Sequence, residues 1–170
     1  MDLRIVVIGD THVLNFGHLP RQFIQEIKNS DYIFHTGDYT SINVLEGLKN
    51  LKREKFIGVF GNSDPKSVRN QLASKIILEL NDKKIGMTHP PQGGSSNWTL
   101  DRAFDMFKET KLDILLFGHT HSPLIKKYGK ITILNPGKGY LEKSYFGPGT
   151  SYIILTIADQ INAELFFVEN

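Results

Sequence analysis

The chain has 170 residues, the size of one ordinary domain, and its 40% hydrophobic and 22% charged residues exclude a disordered or fibrous protein. It has no cysteine, so disulfides and thiol nucleophiles are excluded and any metal must be held by nitrogen and oxygen. A formal net charge of +2 is too small for a nucleic-acid scaffold, and no apolar run approaches the roughly 20 residues of a membrane span.

The β-branched run Leu3–Ile8 predicts a strand. It is entered directly from Met1-Asp2, without a basic segment, long apolar stretch or cleavage site, so a cytoplasmic location is the default expectation. Pro20–Asn29 predicts a helix with Phe23, Ile24 and Ile27 on one face, and Tyr32–His35 a second strand. Ser41–Leu51 predicts a second helix, with Val44, Leu45, Leu48 and Leu51 in register, and Phe56–Phe60 a third strand. This alternation predicts βαβ crossovers and parallel pairing.

Lys75–Leu80 and Lys84–Thr88 flank the turn dipeptide Asn81-Asp82 and predict a hairpin. Trp98–Thr110 predicts an amphipathic helix carrying Leu100, Ala103, Phe104 and Phe107, with Trp98 as its anchor, and Ile114–Phe117 predicts a buried strand. Only strands are predicted beyond Leu124: Leu124–Tyr128, Ile131–Leu134, Tyr152–Ile157 and Ala163–Val168, so the last third is expected to be antiparallel. No linker divides these parts, and residues 1–170 are expected to form one α/β domain of mixed sheets with helices outside. The Gly/Pro-rich stretches His89–Gly94 and Asn135–Gly149 predict loops beside a site.

Asp10, Asp38, Asn62, His89 and His119 each stand at or just past the C-terminal end of a predicted strand, where open α/β sheets bind ligands. Asp10 and His12 are two residues apart, as are His119 and His121, a spacing that turns each pair to one side of an extended backbone. Gly9, Gly37, Gly61 and Gly118 precede four of these positions and permit the close approaches a crowded polar pocket needs. Each fragment alone is weak, since Gly-Asp and Gly-Asn are ordinary turn dipeptides; the ordered set at successive strand ends is specific. Two carboxylates, four imidazoles and one amide suit borderline divalent ions rather than magnesium or calcium, and seven ligands exceed what one ion needs.

Together, Asp10-Thr11-His12, Gly37-Asp38, Gly61-Asn62, the strand-end His89 and Gly118-His119-Thr120-His121, followed by Asn135-Pro136-Gly137, resemble the calcineurin-like metallophosphoesterases. The nearest resemblance is to their small bacterial and archaeal phosphodiesterase branch, to which the scaffold subunit of the eukaryotic retromer coat is related. The resemblance implies a four-layer α/β/β/α sandwich of two mixed sheets flanked by helices, with the site on loops at one edge. It implies that Asp10, His12, Asp38 and His121 hold one ion and Asp38, Asn62, His89 and His119 the other, Asp38 bridging, with Asp38, Asn62 and His89 as catalytic residues. The implied cofactors are two divalent ions among Mn, Ni, Zn, Co and Fe. The implied reaction is hydrolysis of a phosphate ester, a small phosphodiester above all: the ions grip the phosphoryl oxygens and a hydroxide bridging them attacks phosphorus in line with the leaving oxygen.

Departures from the family pattern are informative. Ser63 follows Asn62 where the phosphoprotein phosphatases carry a histidine that protonates the leaving group, and Pro90-Pro91 follows His89 where relatives carry Gly-His. His18 follows His12 closely enough to overhang the site and is, with Asn62, a candidate for substrate contact. His35 is expected to be a half-buried histidine bonded to backbone, and Lys138 a solvated surface lysine. The expected partner is a small phosphodiester, with neither a membrane nor a stable nucleic-acid complex; a homo-oligomer is compatible with the sequence. The competing readings are a catalytically silent protein-binding scaffold of the same fold, and a nuclease or phosphomonoesterase of the superfamily.

Overall fold

In the computed structural model, which describes residues 1–90, 98–141 and 147–169, the described strands form two five-stranded sheets. The first has the order β10 (Ile161–Phe167), β9 (Ser151–Ile157), β1 (Leu3–Ile8), β2 (Tyr32–His35) and β3 (Phe56–Gly58). The second has the order β4 (Lys75–Leu80), β5 (Lys83–Thr88), β6 (Ile114–Phe117), β8 (Ile131–Asn135) and β7 (Leu124–Tyr128). Both are mixed. β1, β2 and β3 are parallel, as are β5, β6 and β8, and the remaining pairs are antiparallel.

The layers follow from side-chain alternation. On β1, Val6 and Ile8 point toward helices α1 (Arg21–Lys28) and α2 (Ile42–Lys52), where they meet Phe23, Ile27, Val44, Leu45 and Leu48. Ile5 and Val7 point the other way and pack with Phe34, Ile153 and Leu155 against Met87, Ile114 and Leu116 of the second sheet. β6 repeats the arrangement, since Leu115 and Phe117 turn outward to Ala103 and Phe107 at α4 (Thr99–Met106). Helix, sheet, sheet and helix thus stack as the four expected layers, with three apolar clusters between them. Ser41 caps α2 by accepting the Asn43 amide, and no described helix is long and apolar enough to cross a membrane.

Three expectations need correction. β8 pairs in parallel with β6, so the last third is not wholly antiparallel; β7 turns back at Gly129 and returns β8 between itself and β6. A single helical turn, α3 (Lys66–Arg69), follows Pro65 where no helix is predicted, because four residues are too few to show a period. Trp98 is 61% exposed, and Ala103 and Phe107 secure α4 instead. The Asn81-Asp82 turn is as expected: both residues have positive φ, 47° and 58°, as the tight hairpin turn requires.

The parallel pairing has one functional consequence. The ends of β1, β2, β3, β5, β6 and β8 all emerge on one edge of the sandwich, and the loops there come from both sheets. Phe34 is fully buried between the sheets, and we expect Phe34→Ala to lower the unfolding free energy by about 3–5 kcal/mol. Urea unfolding of the metal-free protein measures it; a loss under about 1 kcal/mol would mean that the inter-sheet layer closes over the cavity.

Candidate metal centre

The loop after β1 and the loop after β2 continue the strand pairing past the strand ends. Thr36 N–H donates to Ile8 O at 3.0 Å, Asp10 N–H to Gly37 O at 2.9 Å and His12 N–H to Asp38 O at 3.2 Å. The backbone there is nevertheless not extended, contrary to the expectation for the Asp-x-His and His-x-His pairs. Asp10, His12, Asp38, His119 and His121 have positive φ of 47°, 41°, 60°, 88° and 56°. Such left-handed non-glycine residues are costly and survive only where their surroundings fix them. The pairs converge because each loop coils, which spacing alone does not reveal.

All seven predicted residues come together. His121 Nε2 lies 3.4 Å from Asp10 Oδ1 and 3.2 Å from His12 Nε2, and His12 Nε2 lies 3.4 Å from Asp38 Oδ2. The same Asp38 oxygen is 3.4 Å from His89 Nε2, which in turn is 2.9 Å from Asn62 Oδ1. His119 Nδ1 closes the set at 2.8 Å from Asn62 Oδ1. Asp10, His12 and His121, and separately Asp10, Asp38 and His89, place their ligand atoms within 4.8 Å of one another, close enough for each trio to hold a metal ion.

Neighbouring groups fix the direction of each side chain. His89 Nδ1–H donates to the Thr36 carbonyl at 2.9 Å, so in the neutral ring Nε2 presents its lone pair to Asp38 Oδ2 and Asn62 Oδ1, both acceptors. Ser63 N–H holds Asp38 Oδ1 at 2.8 Å, which leaves Oδ2 for the two histidines. The His119 amide donates to both Asp10 oxygens, at 3.2 and 3.0 Å. A Cβ on Gly61 would lie 2.1 Å from Asp38 Oδ1, and Gly37 combines a φ of 104° with a Cβ position 2.7 Å from the His89 ring. Neither position admits another residue without displacing the side chain of Asp38 or His89.

Burial and charge act in opposition. Burial alone would raise the Asp10 carboxyl, but the hydrogen bond from His121, the nearby His89 and His121 rings and the His119 amide hold it below the ordinary carboxylate range. The His121 ring is raised by its bond to Asp10 against the effect of burial, whereas burial dominates at His12 and lowers it. Two carboxylates with 0% and 2% exposure thus face imidazoles along one wall.

Some residues fall elsewhere than expected. His18 sits on an exposed 3-10 turn (Phe16–His18) beside Arg21, Gln22, Leu141 and Val168, and among the described residues no hydrogen bond or ion pair joins it to the seven. Lys138 is only 6% exposed, not solvated: Gly139 N–H donates to Asp10 O at 3.0 Å, pressing this segment onto the loop after β1, and Lys138 Nζ lies 5.4 Å from the Tyr140 ring. The Tyr140 hydroxyl is 3.4 Å from His121 Nδ1. His35 bonds to backbone as expected but is fully rather than half buried. Pro91 and the Gly93-Gly94 pair lie outside the described residues, as does part of the loop ending at Gly149.

Asp64 was not visible as a site residue. Its carboxylate, 4% exposed, accepts from Gly61 N–H at 2.7 Å, Asp38 N–H at 3.0 Å and Thr40 N–H at 2.8 Å, tying the Asn62 loop to the Asp38 loop. Burial raises its carboxyl despite these bonds. The signal was an aspartate before Pro65 at the foot of a Gly-Asn turn, a place where acidic side chains bind backbone amides.

Burial, only partly offset by the Asp10 charge, depresses the fully buried His35 to about 3. Between its ordinary value and that one, the unfolded chain binds a proton that the folded chain refuses, so metal-free stability falls as the pH drops through this window. We expect His35→Asn to remove a slope of about 1.4 kcal/mol per pH unit between roughly pH 6 and 4. Urea titrations of both proteins with chelator present compare the slopes, and parallel lines would refute it.

The family model of the calcineurin-like phosphoesterase superfamily domain matches residues 3–160. The chain is 36% identical over 170 residues to a protein of Methanocaldococcus jannaschii described as a probable metallophosphoesterase, covering 97% of this chain and 81% of that one. It is 28% identical over 156 residues to a phosphodiesterase of the same organism, covering 82% and 87%. Its fold matches that of Vps29 of Entamoeba histolytica complexed with zinc, with a TM-score of 0.66 at 22% identity over 98% of this chain and 100% of that one. On the family match and the first relative, the chain belongs to the calcineurin-like phosphoesterase superfamily.

Proposed function

We propose that the chain hydrolyses phosphate esters, small phosphodiesters above all, at a centre of two divalent cations drawn from Mn, Ni, Zn, Co and Fe. One cation is assigned to Asp10, His12, Asp38 and His121, the other to Asp38, Asn62, His89 and His119. The observation that carries this reading is the convergence on Asp38 Oδ2. Ring nitrogens of His12 and His89 stand 3.4 Å from it on two sides, and the Asn62 amide oxygen stands beside His89. The His89 Nε2 lone pair, the Asp38 carboxylate and the Asn62 carbonyl oxygen repel one another unless a cation lies among them. The donor set fits such an ion: nitrogen and oxygen ligands, with Asp10, Asp38 and His89 buried and each braced by a backbone group.

When bound, divalent cations would screen the phosphoryl oxygens and lower the pKa of water, supplying a nucleophile without a side-chain base. The protein's own part is orientation. Ser63 N–H turns Asp38 so that one oxygen serves both halves of the site, the Thr36 carbonyl holds His89 with Nε2 inward, and the His119 amide anchors Asp10. Half-buried Asn62 lies at the mouth, where it can meet a phosphoryl oxygen. Ser63 brings no ionisable side chain next to Asn62, which supports diesters over substrates whose leaving group needs a histidine acid. Relatives named phosphodiesterase and metallophosphoesterase support the same reading.

A scaffold role is the competing reading, on the likeness to Vps29. The Vps29 of Entamoeba histolytica is itself complexed with zinc, so metal binding alone does not separate the two; turnover does. With Mn²⁺, Ni²⁺ or Zn²⁺ we expect hydrolysis of bis(p-nitrophenyl) phosphate faster than of p-nitrophenyl phosphate, and a loss of about 100-fold or more in kcat/KM for Asp38→Ala. Equal rates for the two proteins, or no turnover with any metal, would overturn the proposal. Mn²⁺ at about 100 times its Kd should raise the unfolding free energy by about 2.7 kcal/mol, reversibly with EDTA. Asp38→Ala should show no comparable rise.

A further inference from the structure

His35 lies three residues before Asp38, and among the described residues no hydrogen bond or ion pair joins its ring to the seven converging residues, yet both ring nitrogens are committed. Gly37 N–H donates to Nδ1 at 3.1 Å. An amide can only donate, so Nδ1 carries the lone pair and Nε2 carries the proton. Nε2–H therefore donates to Thr11 Oγ1, 3.1 Å away. The Thr11 hydroxyl, having accepted that bond, donates its own O–H to the Asp38 carbonyl oxygen at 3.4 Å. Tyr39 lies flat on the ring, centroid to centroid 3.7 Å and 15° from parallel, and both residues are fully buried. The chain of donors runs one way only, from the Gly37 amide through His35 and Thr11 to Asp38.

Its place in the loops gives this chain its meaning. Thr11 stands between Asp10 and His12, and both neighbours have left-handed backbone, as does Asp38. A threonine between two such residues has no strand or helix to hold it. The main-chain bonds Asp10 N–H to Gly37 O and His12 N–H to Asp38 O tie the loops on either side of it, and the Thr11 hydroxyl ties its centre.

We propose that His35 is a positioning residue for the metal centre, acting through Thr11 to hold the Asp10–His12 loop in fixed register with Asp38. The proposal rests on the two-cation reading above. The carboxylate of Asp10 and the ring of His12 then sit at their observed distances from Asp38 because one buried imidazole of fixed tautomer sets the height of Thr11. Outer partners of this kind typically account for 10- to 100-fold in metal affinity or activity.

The variants that isolate this role are His35→Asn, Thr11→Val, their double and Thr11→Ser. Asparagine keeps an acceptor for the Gly37 amide but cannot reach Thr11; valine keeps the shape of threonine and deletes its hydroxyl; serine restores it. Calorimetric Mn²⁺ titration and kcat and KM at saturating Mn²⁺ should show a loss of about 10- to 100-fold in affinity or kcat for each single variant. The double should lose no more than the worse single, because both break one path, and Thr11→Ser should stay within about 3-fold of wild type. In the metal-free protein, the His12 amide should exchange with solvent faster in His35→Asn and Thr11→Val by a similar factor. Affinity and kcat within 2-fold of wild type in both singles, fully additive losses, or unchanged His12 exchange would each overturn the positioning role. A wild type that neither binds Mn²⁺ nor turns over diester removes the two-cation reading and the positioning role with it. The exchange measurement still decides whether the His35–Thr11 path holds the loop.

Discussion

Everything at this edge of the sandwich depends on burying two carboxylates, Asp10 and Asp38, among imidazoles and a few backbone amides. A buried anion is tolerated only when it is paired and hydrogen-bonded. Asp10 meets the demand with the His119 amide and the His121 ring, and Asp38 in part with the Ser63 amide. The histidines leave the balance incomplete: His89 gives its one neutral-state proton away to Thr36, so its inner nitrogen adds electron density rather than removing it. The site is thus built around a deficit of positive charge, and a cation is the simplest thing that fills it.

The fold supplies these groups from two directions. Asp10, Asp38 and Asn62 leave the first sheet after β1, β2 and β3, whereas His89, His119 and His121 leave the second after β5 and β6. Asp38 with His12 on one side and His89 on the other therefore spans the seam between the sheets. The spacing of that seam is set by the apolar layer below it, from Ile5, Val7 and Phe34 to Met87 and Leu116. Packing density and the geometry of the converging side chains are consequently one constraint, because side chains in that layer cannot change volume without moving the sheets.

The sequence was most legible where periodicity and charge act over several residues. Leu3–Ile8, Tyr32–His35 and Ile114–Phe117 appear at the predicted boundaries, and the five polar residues expected at strand ends converge with His12 and His121. What could not be read depended on distant partners. The parallel docking of β8 on β6 is a choice of neighbour and leaves no local pattern. Lys138 reads as a surface lysine until Gly139 is seen bonded to Asp10. Asp64 reads as a turn residue because its partners are backbone amides, which every residue possesses.

The left-handed backbone at the site explains why the loops need so much bracing. Glycine would adopt those angles at little cost, as Gly37 does, but Asp10, His12, Asp38, His119 and His121 cannot be glycine because each must carry a polar side chain into the centre. The strain is therefore inherent in asking a coiled loop to present side chains inward from consecutive alternate positions. It is met by hydrogen bonds drawn from outside the converging set: Asp64 across the Asp38 and Asn62 loops, Ser63 on Asp38, and His35 with Thr11 across the first two loops. These braces are short-range and mostly buried, so they act in the metal-free state. The loops are thus held in the observed shape by the chain itself, and less ordering would remain to oppose the binding of a cation.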